Sequence, residues 1–553
     1  MKTFYWYDYE TFGLSPRVQR IAQFAGIRTD ENLNILDEHM FYCKPTNDSL
    51  PSPEACAVTG ITPQLCEKKG LIEHEFIKKI NMEFSVPDTC IVGYNSIAFD
   101  DEFTRHTLFR NFLDPYAWHW QNGNTRWDII DVVRLCYALK NNSSLKWADN
   151  SNPGIFSLVN VEMGTIGKIS ETVVLATLRD ENGSEFTVAN SWFDHFEQTY
   201  SDCKKLVGQK IRYSTTPPHS PQEWFAEILK PDGIFTPSFK LDKLSKANRI
   251  EHSNAHDALA DVRATIGIAK IIKDNQPQLF DYALSLRNKK EVSKKIELLT
   301  PMLHTSAFYP AKFSCTKLTT ALAYHPDYAD RVIVFNLEQD PSVILELEIN
   351  ELRTLIFTKN SDLPKNVIRF SLTELVFNKS PMFVPNVYKL ESTVIEQLQI
   401  DMDKCLQHLA YIKNNQRLIE EKIQSIYKKD SDREPTIDVD QSLYDNFISN
   451  KDRKICDEIQ HLSVDKMSYF KPNFEDRRLL KLFLNFKARN YPKLLSEDEQ
   501  EEWFEIVRSR VQNGENGFLS FDSFENSLDS LKNSNPEKDK LWQDLEAYAQ
   551  TFL

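Results

Sequence analysis

The sequence has no long apolar run and no paired cysteine motif. A membrane-spanning helix needs about 20 consecutive apolar residues, and no stretch of the 553-residue chain approaches that length. The nine cysteines are scattered and odd in number, without a Cys-x-x-Cys pair, which argues against a disulfide framework and a zinc site. Met1-Lys2-Thr3 leads directly into a strand-like run. We therefore expect a cytoplasmic protein without a secretory signal or a membrane span.

The sequence also lacks a Walker phosphate-binding loop and internal repeats. Its net charge of −14 argues against a general nucleic-acid coat protein. An enzyme with a basic cleft on an acidic body stays compatible with that charge, because the affinity for nucleic acid depends on where the Lys and Arg residues sit. A chain of 553 residues exceeds what one hydrophobic core usually supports, so we expect about two to four domains.

An aromatic, β-prone run at residues 4–13 predicts a buried strand. Asp8 and Glu10 interrupt it, and their spacing places both carboxylates on one face of the strand, roughly 6.5 Å apart along the backbone. Burying two like charges together is costly unless a divalent cation lies between them, and oxygen ligands suit Mg²⁺ or Mn²⁺. The alternative is an edge strand whose Asp and Glu face water.

Two further segments carry acidic residues in a pattern that suits a metal site. Asp100 follows a short apolar strand at 89–95 and begins a predicted helix. Acidic residues are common in a first helical turn, but at this place Asp100 can also supply a third carboxylate near the strand ends. Later, Ser253 or Asn254 is predicted to cap a helix with His256 in its first turn and Asp261 five residues on. A lone His near a helix start is more often structural, and Asp261 is what favours a catalytic role.

Large rings are concentrated between residues 114 and 128, close to Arg105, Arg126 and Arg134. Such rings usually lie in a core. Rings interleaved with cations are also what a groove for single-stranded nucleic acid requires, because bases stack on aromatic faces while cations follow the phosphates.

The pattern along the chain predicts an α/β domain, a β-rich domain and a helical domain. We place them at 1–274, 275–409 and 410–553, with a β-rich insertion at about 152–228 that interrupts the first domain. Within the insertion, apolar runs at 173–178 and 186–189 flank a hairpin signal.

The ordered set of motifs resembles the DEDDh exonucleases of the ribonuclease H-like fold, and most closely the bacterial exodeoxyribonuclease I family. The motifs that carry the resemblance are Asp8-Tyr9-Glu10-Thr11-Phe12-Gly13, Gly93-Tyr94-Asn95, Phe99-Asp100-Asp101-Glu102, Asp114-Pro115-Tyr116-Ala117-Trp118, Glu251-His252-Ser253-Asn254-Ala255-His256-Asp257-Ala258 and Lys487-Ala488-Arg489-Asn490-Tyr491-Pro492. The resemblance covers nearly the whole chain except the insertion. It implies a DEDDh exonuclease domain, an SH3-like domain and a helical C-terminal domain that together surround single-stranded DNA.

The same resemblance assigns roles to single residues. It implies that Asp8, Glu10, Asp100 and Asp261 hold two Mg²⁺ ions, with Mn²⁺ as a substitute, and that His256 is the general base. The reaction would be 3′→5′ hydrolysis of single-stranded DNA with release of 5′-mononucleotides, in DNA repair and recombination. The residues that match DNA-binding positions are Glu10, Arg105, Tyr116, Trp120, Arg134 and Lys240. Lys240 departs from the Arg that we expect there, and it loses the two-pronged contact with phosphate.

Family membership further implies docking of the acidic C-terminal tail of the single-stranded-DNA-binding protein. Tyr282 and Lys140 match part of that pocket, and we expect a monomer. A DEDDh exoribonuclease or a proofreading exonuclease is the enzymatic alternative, but those relatives usually need only the catalytic domain. An inactive single-strand-binding scaffold is the alternative from another class, and the presence of all five site residues argues against it.

Overall fold

Three β-sheets follow one another along the chain. The computed structural model describes residues 2–140, 145–148, 153–166, 171–179, 185–190, 200–201, 204–205, 207–208, 210–214, 237–252, 257–359, 362–363, 369–428 and 436–552. In these residues the first and third sheets along the chain have five strands each, and the second has four. The predicted succession of a mixed α/β sheet, a β-rich insertion, a second β-rich region and a helical end is confirmed.

The first sheet is centred on the aromatic strand predicted from the sequence. Its strands are β1 (Thr3–Thr11), β2 (Ile21–Thr29), β3 (Ile35–Tyr42), β4 (Thr89–Gly93) and β5 (Thr125–Asp128). The first three strands form an antiparallel meander, whereas β4 and β5 continue the sheet in parallel with β1. The carboxyl ends of β1, β4 and β5 therefore meet at one edge of the sheet, which is where mixed sheets usually place their sites.

The side chains of β1 alternate between two hydrophobic cores. Phe4 and Trp6 belong to the core that contains Val262 and Ile266, while the tyrosines of the strand belong to the core on the opposite face. Because the period of a strand is two residues, Asp8 and Glu10 extend the row begun by Phe4 and Trp6. The two carboxylates thus face the helix that carries Val262, and the edge-strand alternative is excluded because β1 is paired on both sides.

Helices cover both faces of this sheet. The helix that contains Val262 packs directly on β1 and β2, and the helix at residues 73–84 contributes Phe76 and Phe84 to the opposite core. The helices of this part of the chain are α1 (Pro53–Thr59), α2 (Pro63–Lys69), α3 (Glu73–Phe84), α4 (Asp100–Arg110), α5 (Ile129–Lys140), α6 (Leu241–Ala247), α7 (Ala258–Asn275), α8 (Pro277–Ser285) and α9 (Lys289–Lys295).

The insertion forms a sheet of its own. Its strands are β6 (Pro153–Ile166), β7 (Glu171–Arg179), β8 (Glu185–Asn190) and β9 (Lys210–Ser214). The strands β7 and β8 pair antiparallel as the hairpin signal predicts, and the residues between them lie outside the described part. The segments that lead into and out of the insertion lie side by side, because the Ser238 amide donates to the Ala148 carbonyl at 2.8 Å.

The third sheet and the helices after it form the SH3-like region. Its strands are β10 (Pro301–Thr305), β11 (Thr316–Tyr324), β12 (Arg331–Asn336), β13 (Leu372–Val376) and β14 (Met382–Pro385). The helices are α10 (Val343–Glu346), α11 (Ile349–Phe357), α12 (Ser392–Gln397), α13 (Met402–Asn414) and α14 (Gln416–Tyr427). Apolar residues of α13 and α14 share one core with this sheet.

The C-terminal region is helical and packs against the first domain. Its helices are α15 (Asn450–His461), α16 (Val464–Met467), α17 (Arg477–Asn490), α18 (Glu497–Val511), α19 (Phe521–Ser534) and α20 (Asp539–Ala549). Phe524 and Trp542 share a core with Phe12 and Cys56, and Phe486 shares another with Phe112. Within the described residues, no helix combines the length and the apolar character that crossing a membrane requires.

A buried network of ion pairs joins the same two regions. Asp48 accepts hydrogen bonds from Arg20 at 2.9 Å and from Arg510 at 2.5 Å, and Asp440 accepts from Arg489 at 2.6 Å and from Arg510 at 2.8 Å. Asp48 and Arg20 come from the first domain, whereas the other three come from the helical region. All five side chains are at most 2% exposed. The Asp48 carboxylate therefore joins an arginine of the first domain to an arginine of the helical region.

Burial alone would raise the pKa of Asp440, but the guanidinium groups of Arg489 and Arg510 outweigh it and hold that pKa below its ordinary value of 3.8. The pKa of Asp48 is lowered in the same way, with Arg20 and Arg510 opposing the effect of burial. Both carboxylates are therefore charged in the folded protein at neutral pH. Removing one of them takes away a carboxylate that the buried arginines share, and breaking a buried ion pair in this way typically costs about 3–5 kcal/mol.

We expect Asp440→Asn to lower the free energy of unfolding at pH 7 by about 3–5 kcal/mol, measured by urea unfolding. Folding lowers the pKa of Asp440, so its contribution is complete above the unfolded value of 3.8 and is lost as the pH falls below it. The difference between wild type and variant should therefore shrink below about pH 4. The control is Asp544→Asn, which removes a surface pair with Lys540 and should cost less than about 1 kcal/mol. Equal losses for the two variants would contradict this assignment.

We expect the insertion to be removable. Because the backbones of Ala148 and Ser238 are hydrogen-bonded, a linker of about four Gly and Ser residues can replace residues 150–236 without moving α5 or α6. The shortened chain should keep the thermal unfolding profile of the first domain. Loss of soluble, folded protein after this replacement would show that the sheet β6–β9 is part of the first domain's core.

Candidate active site

Three carboxylates meet between β1 and α7. Asp8 and Glu10 project from β1 toward α7, where Asp261 lies in the first turn of the helix. One oxygen of each of these carboxylates lies within 4.8 Å of the other two. Residues that are about 250 positions apart in the sequence are thereby brought to ligand distance around a common point. The juxtaposition predicted from the sequence is present.

Asp100 approaches the same point from the neighbouring strand. The strand β4 runs parallel to β1, and the loop after Gly93 returns the chain to the start of α4, whose first residue is Asp100. Its side chain is 3% exposed, and its Oδ1 has no hydrogen-bond partner among the described residues. A buried carboxylate oxygen without a donor is costly. The arrangement is therefore incomplete without a positively charged group.

The electrostatics of the cluster lead to the same conclusion. Burial, and then the charges of Asp100, Asp261 and Glu10, raise the pKa of Asp8 well above its usual range. Burial and its acidic neighbours also raise the pKa of Glu10 to about 9. For Asp100, burial and the charges of Asp101 and Asp128 raise the pKa. The protein alone holds these carboxylates as anions only at a cost, which a divalent cation would remove.

The donor set fits a hard divalent cation. All four side chains offer carboxylate oxygen, which Mg²⁺ and Mn²⁺ prefer over the nitrogen and sulfur ligands typical of zinc. Asp8, Glu10 and Asp261 are already within ligand distance of one another, and Asp100 supplies the unsatisfied oxygen. Asp8, Glu10 and Asp261 are thus arranged to share one metal ion.

Asp101, the neighbour of Asp100, has a different role. Its carboxylate pairs with Arg126 and accepts the Tyr7 hydroxyl at 2.7 Å. Burial works to raise its pKa, but Arg126 and Arg105 prevail, so the pKa of Asp101 lies below its ordinary value. One of two consecutive aspartates is thus neutralised by the protein itself, and the other is left for the cluster.

Asp128 is a buried carboxylate that sequence reasoning missed. It ends β5 and accepts the backbone amides of Asn95 at 2.8 Å, Ile97 at 3.0 Å and Ile130 at 3.1 Å. Burial and the nearby Asp131 raise its pKa to about 7. It fixes the loop that leads from β4 to Asp100. The available signal was an acidic residue at the carboxyl end of a strand parallel to β4.

The prediction for the start of α7 was wrong. The helix begins at Ala258 and its N-cap is Asp257, whose side chain accepts the Leu259 amide. Ser253 and Asn254 therefore do not cap it, and His256 precedes the helix instead of lying in its first turn. Asp257 is the N-cap because its carboxylate accepts a backbone amide of the first turn that has no partner within the helix. Ser253, Asn254 and His256 themselves lie outside the described residues. The imidazole that the structure describes next to the cluster is that of His252, which contacts Asp261.

A cleft of about 470 Å³ opens beside Asp261. Its lining includes Arg134 and Lys240, two of the residues predicted to bind substrate, together with Asn95 and His252. Lys240 is exposed, while Arg134 donates to Asp131 at 2.6 Å. The structure therefore brings two predicted phosphate-binding cations to the mouth of the carboxylate cluster.

Arg105 and Tyr116 form a separate pair. The guanidinium carbon of Arg105 lies 5.7 Å from the centre of the Tyr116 ring, and Tyr116 lines a second cleft of about 970 Å³ at the boundary with the helical region. Trp120 is 60% exposed, whereas Trp118 and Trp127 are core residues. Of the rings grouped in the sequence, Tyr116 and Trp120 are thus accessible to a ligand.

The residues predicted to bind a partner lie on adjacent helices. Tyr282 is half-buried in α8, its hydroxyl donates to the Phe383 carbonyl at 2.6 Å, and the Lys295 ammonium lies 5.8 Å from the centre of its ring. Lys140 is exposed at the end of α5, which packs against α8.

Family models match three parts of the chain. A model described as Exonuclease matches residues 5–154, one described as Exonuclease I SH3-like domain matches 287–429, and one described as Exonuclease I C-terminal domain matches 437–552. The exodeoxyribonuclease I of Haemophilus influenzae is 36% identical over 556 residues, which cover 100% of this chain and 99% of the relative. That of Escherichia coli is 35% identical over 511 residues, which cover 92% and 89%.

Solved structures of Exonuclease I are similar over 100% of both chains. An E. coli Exonuclease I in complex with a dA16 oligonucleotide has a TM-score of 0.79 at 33% identity, and a zinc-bound form of an E. coli complex with single-stranded DNA has the same values. A structure of SSB/Exonuclease I in complex with the inhibitor CFAM has a TM-score of 0.77 at 31% identity.

We expect Asp8→Asn to stabilise the metal-free protein, because it removes one of several like charges from a buried cluster. In chelator its melting temperature should rise by about 2–4 °C, which corresponds to roughly 1 kcal/mol in a domain of 150–250 residues. Added Mg²⁺ should raise the melting temperature of the wild type and leave that of the variant almost unchanged.

The matched control is Asp101→Asn, which changes the buried aspartate that follows Asp100 and is paired with Arg126. It should lower the melting temperature in chelator and retain the shift with Mg²⁺. A destabilised Asp8→Asn variant that still responds to Mg²⁺ like the wild type would contradict the assignment of Asp8 as a ligand.

Proposed function

The chain belongs to the exodeoxyribonuclease I family, and on that basis we propose that it degrades single-stranded DNA from the 3′ end and releases 5′-mononucleotides. The observation that carries the proposal is the convergence of the carboxylates of Asp8, Glu10 and Asp261, with Asp100 close enough to raise the pKa of Asp8. The exonuclease domain that we place at 1–274 carries this cluster, and a cytoplasmic role in DNA repair and recombination fits such an activity.

We infer that the four carboxylates hold two Mg²⁺ ions, with Mn²⁺ as a substitute. When bound, such ions supply an activated hydroxide and stabilise the charge on the leaving oxygen. The chain contributes the ligands on rigid elements, since Asp8 and Glu10 belong to a central strand and Asp261 to a packed helix. Asp128 contributes by fixing the loop that precedes Asp100.

His256 is the proposed general base, which takes a proton from the attacking water. Its place in the chain, two residues before the first residue of α7, keeps it close to Asp261 in sequence. Attack on the terminal phosphodiester breaks the bond between phosphorus and the 3′ oxygen, and the released nucleotide keeps the phosphate at its 5′ position. An imidazole with a pKa near the ordinary value of about 6.5 suits proton transfer near neutral pH.

The DNA would be held by residues of both clefts. Lys240 and Arg134 line the cleft beside Asp261, where they can meet the terminal phosphates. We assign Glu10 to contact with the terminal nucleotide. Arg105, Tyr116 and Trp120 offer a cation and two accessible rings for the preceding nucleotides. Lys240 gives a point charge where an Arg would give two parallel hydrogen bonds, so its contact with phosphate is less directional.

A second macromolecular partner is proposed for the surface around α8. We assign Tyr282 and Lys140 to a pocket for the acidic C-terminal tail of the single-stranded-DNA-binding protein. The support is the position of Lys295 over the Tyr282 ring and of Lys140 at the end of the adjacent α5, which together provide two cations near the ring. We propose that the enzyme acts as a monomer.

The proposal is tested with a duplex that carries matched single-stranded DNA or RNA 3′ tails. With Mg²⁺ we expect mononucleotides from the DNA tail, degradation that stops near the duplex, and no release in chelator. Asp8→Ala should abolish release while leaving DNA binding largely intact, because it removes a metal ligand and no groove cation. Release is measured on denaturing gels and binding by fluorescence anisotropy.

Faster degradation of the RNA tail would identify an exoribonuclease. Binding to DNA without release of nucleotides, unaffected by Mg²⁺, would identify a non-catalytic scaffold. Either result would overturn the proposed activity.

A further inference from the structure

His252 occupies a place in the site that the proposed reaction does not use. It belongs to the motif at 251–258, precedes α7 in the chain and lines the cleft beside Asp261. Its side chain is only 6% exposed, and its Nε2 contacts Oδ1 of Asp261. A carboxylate can only accept a hydrogen bond in this contact, so the Nε2 of His252 carries the hydrogen.

The contact with His252 restricts the orientation of the Asp261 carboxylate. Asp261 projects from α7 toward two other carboxylates that repel it, and the terminal torsion of an Asp side chain is broad and weakly fixed. A donor on one carboxylate oxygen holds the plane of the carboxylate and partly offsets the repulsion. The second oxygen can then be presented to the point shared with Asp8 and Glu10.

We propose that His252 is a positioning residue that orients Asp261 as a metal ligand. This role rests on the metal-dependent function proposed above and extends it to a residue that contacts a ligand but not the ion. Hydrogen bonds to ligating side chains orient them and raise their affinity for metal, and their loss typically costs 10–100-fold in metal affinity or activity.

A calorimetric titration with Mn²⁺ in the absence of DNA tests the proposal on the full chain. His252→Ala should weaken Mn²⁺ binding by about 10–100-fold. His252→Gln keeps an N–H group close to the place of Nε2 and should bind Mn²⁺ to within a few-fold of the wild type. The matched control is His461→Ala, which removes an exposed imidazole at the end of α15 and should change nothing.

Nucleotide release from a single-stranded DNA oligonucleotide is then measured across Mn²⁺ concentrations. His252→Ala should need more metal for half-maximal rate and recover most of the wild-type rate at saturation. Unchanged Mn²⁺ affinity in a folded His252→Ala protein would overturn the proposal. If the rate at saturating Mn²⁺ were also lower than that of the wild type, His252 would be assigned to proton transfer. Equal loss of affinity in the Gln and Ala variants would also overturn it.

The affinity measurement does not depend on the substrate. If the wild type binds Mn²⁺ but releases no nucleotide, the proposed function fails and the positioning role of His252 is still decided by the titration.

Discussion

The repulsion between buried carboxylates is the constraint on which this structure depends. Asp8, Glu10 and Asp261 are held within 4.8 Å of one another by a strand and a helix that cannot easily move apart. Burial and the neighbouring carboxylates raise the pKa values of Asp8 and Glu10, so their charged forms are disfavoured in the protein alone. Such an arrangement is stable when another charge completes it, and a divalent cation with carboxylate ligands supplies that charge.

The chain contains a second buried acidic cluster, which shows the contrast. Asp48 and Asp440 are as deeply buried as Asp100, but arginines from two regions surround them and lower their pKa values. That cluster joins the helical region to the first domain. The consecutive residues Asp100 and Asp101 differ in the same way, because Arg126 pairs with Asp101. Burial and acidic neighbours raise the pKa values of Asp8, Glu10 and Asp100, and this difference from Asp48 and Asp440 distinguishes the site.

Much of the site was predictable from the sequence because it depends on local rules. The alternation of a strand fixes the common face of Asp8 and Glu10, and the parallel pairing of β1 with β4 brings Asp100 to the same edge. Contacts that depend on tertiary packing were not predictable. Three such contacts depend on which arginine, amide or carboxylate lies nearby in the folded chain. They are the different roles of Asp100 and Asp101, the bonds of Asp128 to the loop after β4, and the contact of His252 with Asp261. The start of α7 was misplaced because several adjacent polar residues can cap a helix, and the sequence does not say which one does.

The most direct measurement of the central claim is the anomalous scattering of crystals grown with Mn²⁺. The account predicts two peaks about 3.5–4 Å apart among the carboxylates of Asp8, Glu10, Asp100 and Asp261, the separation found in two-metal sites. Crystals in which Mn²⁺ scatters elsewhere, with these four carboxylates bound to no metal, would contradict it.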